Sequence, residues 1–384
     1  FPYTTLFRSI MNCQYTNNLL FLALKTNGIM SEIWRNDRLY NFLRPYVDWC
    51  TRSSFTRLEV EGSLPSDGRA VIIAPNHCNT LMDALVVLQC RRAATVFGAR
   101  ADIFRKPAAA RALRFLKILP IARMRDGIQA VARNLEIMPI IYDVLNHDVP
   151  FCAFPEGRHR PMYSLLPIRK GVVRMAVGAA EKQPVCIVPV GLDYSDFFHY
   201  RGRCRVRIGE PIDVNAFLEA HSGLNKTDLF LALSGQLSGD LSKLFLYIPD
   251  DEEYERKLDA VRPYEPRKWW TVPLAVLSSP GFLLAAFLTL PMWSIAEYIC
   301  HFKLKDKTFS NSIRYMLRLL GTPVMLMVWG IPGFALLPWW AAVLLLLYFL
   351  YSYSIFYDWL NLLTRHRRFT PASEFVGERD GEVG

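Results

Sequence analysis

The sequence predicts an α/β protein, in which helices cover a mixed β-sheet, with a C-terminal α-helical membrane region. Two observations lead to this fold class. Between residues 57 and 212, short apolar runs alternate with longer segments that have helical periodicity. After Trp269, two long blocks are almost free of charged side chains. The first feature indicates a sheet with helical connections, and the second indicates helices that are embedded in lipid.

The elements of the predicted sheet are short apolar runs bounded by turn residues. The expected strands are 57–61, 70–75, 94–98, 118–122, 150–154, 185–190 and 203–208. Helical patterns lie between them at 81–90, 108–115, 128–146 and 170–180. Residues 215–261 are more polar and predict helices on the flank of the same domain. This alternation favours a sheet that is mostly parallel or mixed.

The chain divides into five predicted segments. Residues 1–29 are an uncertain leader, because a basic and then apolar start without methionine suits a translated leader as well as an anchor. Residues 30–55 predict an amphipathic helix, on a membrane surface or packed on the domain. Residues 56–262 form the α/β domain with its helical flank, 263–369 the membrane-embedded helical hairpins, and 370–384 a disordered tail.

Composition narrows the class of partner. The chain has 384 residues, of which 52% are hydrophobic, and a formal net charge of +10. This charge suits an anionic phospholipid membrane or an anionic substrate. We expect no nucleic-acid partner, because the basic residues flank apolar blocks and are not interleaved with stacking aromatic residues. Eight scattered cysteines, with no Cys-x-x-Cys pair, predict reduced thiols and a catalytic part in the cytoplasm.

The two apolar blocks predict the membrane topology. Residues 271–300 carry Glu297 as their one formal charge, residues 321–357 carry none, and basic residues flank both blocks. If every basic flank faces the cytoplasm, each block enters and leaves by the same face. We expect the second block to form two spans that turn at 330–333 or at 337–338. The first forms either a re-entrant hairpin turning near 278–281 or one tilted span.

The first chemical motif follows the predicted strand 70–75. His77 would lie at the rim of the sheet, with Asp83 six residues later in the following helical segment. In one interpretation Asp83 accepts a hydrogen bond from the His77 ring, which fixes its tautomer and makes the other nitrogen a base. In the other, Thr80 and Asp83 form a capping box that only stabilises the helix start.

The residue types around His77 narrow the chemistry. The sequence has no Gly-x-Ser-x-Gly elbow and no cysteine beside a second suitable histidine, so covalent catalysis lacks a nucleophile. A single histidine and carboxylate suit direct transfer, in which His77 deprotonates an acceptor hydroxyl that attacks an activated acyl carbonyl. Metal binding by His77, Asp83, Glu156 and His159 is the alternative, but no metal-ligand spacing supports it, and no metal is expected.

The second motif follows the predicted strand 150–154. Glu156 and Gly157 predict a tight turn, in which glycine allows a close backbone approach. Arg158 and Arg160 then supply guanidinium groups, whose planar fork suits phosphate oxygens. Arg100 and Arg123 follow two other predicted strands, so three strand ends would bring basic side chains to one edge of the sheet. A phosphorylated substrate is therefore expected there.

Together, these motifs resemble those of the glycerolipid acyltransferase superfamily, the PlsC-type acyltransferases. The resemblance covers about residues 57–212. Residues 76–83 resemble the histidine–aspartate motif, Arg123 resembles the arginine of the second motif, and residues 154–157 resemble the third. Residues 187–190 resemble the fourth, a strand whose proline borders the acceptor site. All four motifs occur in the order of the family.

The resemblance implies a role for each motif. His77 would be the base and Asp83 the group that orients it. The acceptor's phosphate would be held by Arg123, Glu156, Gly157 and Arg158, to which the arginine cluster adds Arg160. Acyl-CoA or acyl-carrier protein would donate the acyl chain as a co-substrate, and no cofactor is implied.

This chain departs from the family pattern in two places. The gap between histidine and aspartate is five residues where four are usual, and 158–160 replace the usual Thr/Ser-Arg. Three features are similar to those of a branch that acylates glycerol 3-phosphate or dihydroxyacetone phosphate. They are the wider gap, residues 165–167 and residues 170–171.

We therefore expect an O-acyltransferase of phospholipid biosynthesis at the cytoplasmic face of the cell membrane. Its acceptor would be glycerol 3-phosphate or 1-acylglycerol 3-phosphate. The alternatives are an acyltransferase or transacylase acting on another lyso-lipid or aminolipid, and a non-catalytic lipid-binding membrane protein with the same fold.

Overall fold

The computed structural model describes residues 32–35, 37–122, 134–266 and 268–369. The predicted leader, the predicted tail and Arg123 lie outside the described residues.

Eight strands in the described residues form one mixed sheet, and its order places the two motifs side by side. The order is β1-β7-β6-β2-β5-β3-β4, and β8 pairs with β6. Strands β2, β3, β4, β5 and β6 run in one direction, whereas β7, β1 and β8 run in the other. The strands are β1 Arg57–Glu61, β2 Ala70–Pro75, β3 Val96–Arg100, β4 Ile118–Ile121, β5 Phe151–Cys152, β6 Val185–Tyr194, β7 Arg203–Ile208 and β8 Ile212–Asp213.

Helices connect and flank these strands. The helices of the α/β part are α1 Arg38–Arg52, α2 Leu81–Val87, α3 Pro107–Phe115, α4 Asn134–Asn146, α5 Lys170–Ala180, α6 Val214–Ala220, α7 Lys226–Ser242 and α8 Tyr254–Val261. This arrangement confirms the predicted fold class, a mixed sheet covered by helices. Strand β6 is longer than predicted, and its last residues reach the candidate site.

The two faces of the sheet bury different hydrophobic cores, because side chains alternate along each strand. On β2, Val71 and Ile73 belong to the core that also contains residues of α1, α2 and the C-terminal helices. Ala70, Ile72 and Ala74 belong to the opposite core, with residues of α4, α5 and α7. All six residues of β2 are buried. Strand β2 is therefore fully enclosed, and the residues directly after it are held at a fixed position.

The amphipathic segment packs on the domain through one face of α1. The side chain of Asp37 caps the start of the helix, and Tyr40 is buried. The Tyr46 hydroxyl donates to the Leu319 carbonyl of a C-terminal helix, at 2.7 Å. Phe42 is 78% exposed. Helix α1 thus contacts both parts of the chain and leaves an apolar side chain on its outer face.

Four apolar helices follow the α/β part, and three of them are long and apolar enough to cross a membrane. Their bounds are α9 Thr271–Leu288, α10 Leu290–Tyr298, α11 Ser310–Leu336 and α12 Trp339–Leu363. Helix α10 is the short one, and a turn of π-helix at Ile299–Lys303 follows it.

The first apolar block reverses direction, but not at the predicted residues. Helix α9 continues through 278–281. Pro280 has no N–H to donate to the Val276 carbonyl, and the Ser279 hydroxyl donates to that carbonyl instead. The helix ends one turn before Pro291, which cannot continue its hydrogen bonding. The buried Thr289 separates α9 from α10. The expectation of a turn near 278–281 is therefore wrong.

Contacts between neighbouring helices establish that α9 and α10 are antiparallel. The Trp359 indole donates to the Ala275 carbonyl and the Tyr348 hydroxyl to the Gly281 carbonyl, so α9 runs antiparallel to α12. Leu288, just before α10, contacts Trp329, and Glu297, near the end of α10, contacts Arg314. The partners on α11 thus come in the reverse order, so α10 runs antiparallel to α11. Because α11 and α12 are themselves antiparallel, α9 and α10 must point in opposite directions.

Helices α11 and α12 form the second hairpin. Their turn is at Leu337 and Pro338, one of the two predicted positions, and α11 continues through 330–333. Arg318 of α11 donates to the Ser354 hydroxyl of α12 at 2.9 Å, which fixes their pairing. Near the open end, the Asn361 amide donates to the Tyr200 carbonyl of the α/β part. Both hairpins therefore have their open ends at the α/β domain.

Candidate active site

The site lies where the carboxyl ends of β2 and β5 meet, because these strands are parallel neighbours. The Asn76 side chain accepts a hydrogen bond from the Leu192 N–H at 2.6 Å and donates to the Leu192 carbonyl at 3.1 Å. This pair ties the end of β2 to β6. The Arg160 N–H donates to the His77 carbonyl at 3.0 Å. The two predicted motifs are thus in direct contact.

His77 and Asp83 form the hydrogen-bonded pair that the sequence predicts. The distance from His77 Nδ1 to Asp83 Oδ2 is 2.7 Å. The Asp83 side chain is fully buried, whereas 17% of the His77 side chain is exposed. A carboxylate can only accept, so Nδ1 carries the proton and Nε2 holds the lone pair in the neutral ring. In the described part of the chain, no hydrogen-bond partner occupies Nε2.

The loop between the two residues folds the imidazole back over the start of α2. Asp83 Oδ2 also accepts the N–H groups of Cys78 and Asn79, at 2.8 and 2.7 Å. Thr80 makes this fold possible with a φ of 51°, an unusual conformation for a residue with a side chain. Its hydroxyl makes no capping hydrogen bond to α2. The capping-box interpretation is therefore wrong, and Asp83 instead holds the His77 loop.

Tyr194 is a further partner of Asp83 that sequence reasoning missed. Its hydroxyl donates to Asp83 Oδ1 at 2.8 Å, and its ring is buried. Tyr194 is the last residue of β6, which extends four residues beyond the predicted end at Val190. All ten residues of β6 are buried, and nothing in the sequence assigns this tyrosine to Asp83.

Glu156 lies in the site but makes its contacts with the backbone. Oε1 accepts the His77 N–H at 2.7 Å, and Oε2 accepts the Leu166 N–H at 2.8 Å. Burial raises the pKa of Glu156 to about 7, while the two N–H donors act in the opposite direction. Both oxygens are thus engaged in holding loops together, and Glu156 links the second motif to the first.

The remaining residues of the second motif differ in what they contact. Gly157 has a φ of +70°, which favours glycine, and forms the tight turn. Arg158 is exposed, and its guanidinium has no ion-pair or hydrogen-bond partner among the described residues. Arg160 contacts Asp250 and donates to the Ser164 hydroxyl at 2.6 Å. Arg158 therefore remains available for an anion, whereas Arg160 already has a carboxylate partner.

His159 is brought next to His77, with a distance of 5.6 Å between the ring centroids. Phe154 stacks on the His77 ring, with centroids 4.1 Å apart. Burial lowers the pKa of His159, and the proximity of His77 acts in the same direction. Its Nε2 faces Asp306 and Thr308, which belong to the C-terminal helical part. No local pattern in the sequence predicts this long-range contact.

Nucleophilic and metal chemistry find little support in this geometry. Cys78 is buried beside the pair, and burial raises the pKa of its thiol well above the ordinary value, so it is not a thiolate at neutral pH. Among the described residues, no group of three or more His, Cys, Asp or Glu side chains has a metal-binding arrangement. The site instead presents one oriented imidazole with a free nitrogen, which is the arrangement of a general base.

Comparison with known proteins finds acyltransferases over the part of the chain that holds this site. A profile of the family described as Acyltransferase matches residues 57–193. Glycerol-3-phosphate O-acyltransferase 1 of Saccharomyces cerevisiae is 32% identical over 117 residues, which are 29% of this chain and 15% of that protein. The 1-acyl-sn-glycerol-3-phosphate acyltransferase alpha of Mus musculus is 27% identical over 208 residues, which are 52% of this chain and 70% of that protein.

A solved structure is also similar. The crystal structure of the 1-acyl-sn-glycerophosphate acyltransferase PlsC from Thermotoga maritima aligns with 22% identity and a TM-score of 0.39, over 62% of this chain and 97% of that one.

These matches define the class of protein. Residues 57–193 match the acyltransferase family. The relatives support the PlsC-type glycerolipid acyltransferase superfamily, which the motifs predicted.

Proposed function

We propose that this protein transfers a fatty acyl group from an acyl thioester to a hydroxyl of glycerol 3-phosphate or 1-acylglycerol 3-phosphate. The donor would be acyl-CoA or acyl-carrier protein. The observation that carries the proposal is the His77–Asp83 pair, with Nδ1 held at 2.7 Å and Nε2 without a partner among the described residues. The comparisons support the same class of reaction, because the relatives are named for glycerol-phosphate acceptors.

The geometry suggests the following chemistry. Nε2 of His77 takes the proton of the acceptor hydroxyl as its oxygen attacks the thioester carbonyl. Asp83 stabilises the resulting imidazolium and keeps its orientation. The tetrahedral intermediate then collapses, the C–S bond breaks, and the imidazolium returns the proton to the leaving thiolate. An ester and a free thiol are formed, and His77 is neutral again. General-base help of this kind typically accelerates a reaction by about 10²–10⁴-fold.

The acceptor's phosphate requires cationic side chains at the same edge of the sheet. Arg158 is suited to this role because it is exposed next to the site and has no partner in the described residues. Arg123 is assigned by the motif alone. Glu156 and Gly157 would shape the turn that presents Arg158. Arg160 would act mainly by positioning this loop, because Asp250 and Ser164 already bind it.

The site of action would be a phospholipid membrane. Three helices have the length and apolarity of membrane spans, and the open ends of both hairpins lie at the α/β domain. An acyl thioester and reduced cysteines point to the cytoplasmic face, and the basic flanks agree with it. The catalytic pocket would thus lie at the interface, where acyl chains and a diacyl product partition.

The test is a product assay with purified full-length protein in phospholipid vesicles. Radiolabelled acyl-CoA and acyl-carrier protein are each offered with glycerol 3-phosphate, 1-acylglycerol 3-phosphate, dihydroxyacetone phosphate or a lyso-aminolipid, and the products are separated by thin-layer chromatography. We expect labelled lysophosphatidate or phosphatidate. Label that enters the lyso-aminolipid alone, or enters no acceptor, would contradict the proposal.

A further inference from the structure

The segment between the two apolar hairpins contacts the candidate active site directly. This junction loop, residues 304–309, connects the π-helical turn after α10 to the start of α11. Asp306 Oδ2 lies 3.6 Å from His159 Nε2, and the Thr308 hydroxyl lies 3.3 Å from the same nitrogen. Phe309 packs its ring edge-on against His159, with centroids 5.2 Å apart. Three residues of the loop thus contact one imidazole.

The junction loop is itself ordered by local contacts. Asp306 accepts the Thr308 N–H at 3.0 Å and the Thr308 hydroxyl at 2.6 Å. The Lys307 ammonium contacts the Cys300 carbonyl at the end of the preceding helix. These contacts fix the loop to the C-terminal helices, so it presents Asp306 and Thr308 as a preformed surface.

A second contact joins the same region to the loop of the base. The Thr80 hydroxyl and the Ser312 hydroxyl of α11 are 2.8 Å apart, and both side chains are buried. Thr80 is the strained residue that folds His77 back onto Asp83. The start of α11 therefore supports the base from one side, while His159 contacts it from another.

We propose that the junction loop is part of the active site, and that Asp306 and Thr308 make His159 a positioning residue for His77. Phe154 stacks on the His77 ring and His159 packs against it edge-on, so that Nε2 keeps one direction toward the acceptor hydroxyl. The helical hairpins thereby contribute to catalysis as well as to attachment. This role rests on the proposed function of His77 as the base.

The ionisation of His159 is compatible with this role. Burial and the nearby His77 lower the pKa of His159, whereas Asp306 and Asp83 raise it. A neutral His159 does not repel the imidazolium that forms on His77. Asp306 then acts on the His159 ring chiefly through Thr308, whose hydroxyl donates to Asp306 and lies 3.3 Å from His159 Nε2. An amide oxygen at position 306 can still accept that hydroxyl.

Kinetics of Asp306 variants test the positioning role. We expect Asp306→Ala to lower kcat by about 10-fold to 100-fold with little change in the KM of the acyl donor, because orientation of the base is lost. Asp306→Asn keeps an acceptor and should retain at least half of the wild-type kcat. Lys305→Ala, an exposed neighbour in the same loop, is the matched control. An Asp306→Ala enzyme as active as Lys305→Ala would overturn the proposal, and so would an Asp306→Asn enzyme as slow as Asp306→Ala.

A readout independent of activity tests the docking of the loop. Endoproteinase Lys-C is applied in detergent micelles, and cleavage after Lys305 and Lys307 is followed by mass spectrometry. His159→Ala leaves the loop sequence intact and should accelerate this cleavage, whereas Arg158→Ala should not. Equal cleavage in wild type and His159→Ala would overturn the docking, even if no acceptor supports turnover and the proposed function has failed.

Discussion

Tyr194 and Asp83 are joined by a hydrogen bond of 2.8 Å although 111 residues separate them in the chain. The hydroxyl of Tyr194 contacts Oδ1, while Oδ2 accepts the His77 ring and two backbone N–H groups. The carboxylate is therefore held at both oxygens. Tyr194 reaches Asp83 because β6 extends into the site. This extension therefore helps to fix the carboxylate that orients His77.

Removal of the Tyr194 hydroxyl should slow the reaction without changing the fold. Hydrogen bonds to charged groups are worth about 1.5–3 kcal/mol, so we expect Tyr194→Phe to lower kcat roughly tenfold. Tyr163→Phe is the matched control, because it removes a buried hydroxyl that donates to the Ser195 carbonyl and not to Asp83. The kcat of each variant is measured by steady-state kinetics and compared with that of the wild type. Similar kcat values in both would contradict a role for Tyr194.

Glu156 should make stability depend on pH. Its pKa is about 7 in the folded protein and near 4.5 in an unfolded chain, so the folded state binds more protons between these values. The stabilisation is complete below about pH 4.5 and is lost as the pH rises through 7, for a total of about 3 kcal/mol. Thermal unfolding of wild type and Glu156→Gln is compared at each pH. From pH 5 to pH 8, the Tm of the wild type should fall relative to the Tm of Glu156→Gln. A difference in Tm that stays constant over this range would contradict the raised pKa.

The two arginines of the second motif should behave differently when they are removed. Arg158→Ala should raise the KM of the acceptor strongly and that of the acyl donor little, because the phosphate that meets Arg158 would be the acceptor's. Arg160→Ala should chiefly lower the Tm, because Arg160 contacts Asp250 and Ser164. The KM of the acceptor, the KM of the acyl donor and the Tm are measured for each variant. An equal rise in both KM values for Arg158→Ala would count against a separate phosphate pocket.

The reversal at Thr289 predicts that the first hairpin enters and leaves by one face of the membrane. Helix α9 has 18 residues and is about 27 Å long, and α11 has 27 residues and is about 40 Å long. Single cysteines at Lys268, Lys305 and Arg365 should be labelled by an impermeant maleimide only after the cytoplasmic face is opened, in a cysteine-depleted protein. A cysteine at Leu336 reports the opposite face. Labelling of Lys305 in intact cells would exclude the hairpin.

The sequence predicts best what depends on local patterns. A continuous apolar run located β2 to the residue, and alternating apolar residues located β7. The type and spacing of His77 and Asp83 were sufficient to propose their pairing. The hairpin of α11 and α12 followed from the length of an uncharged block.

The rest depends on contacts between distant residues. Whether Pro280 breaks α9 depends on Ser279, whose hydroxyl takes over the Val276 carbonyl. The functions of Tyr194 and Asp306 depend on which strand and which helix end reach the site. No periodicity encodes such contacts, because they result from packing.

The most direct test of the account is the turnover of His77→Ala in the same vesicles, with an assigned acceptor. If Nε2 of His77 is the base, kcat should fall by about 10²–10⁴-fold, while the yield in the membrane fraction and the Tm stay near those of wild type. The kcat of Asp83→Asn should also fall. A His77→Ala enzyme that keeps more than about a tenth of wild-type turnover would contradict the general-base assignment.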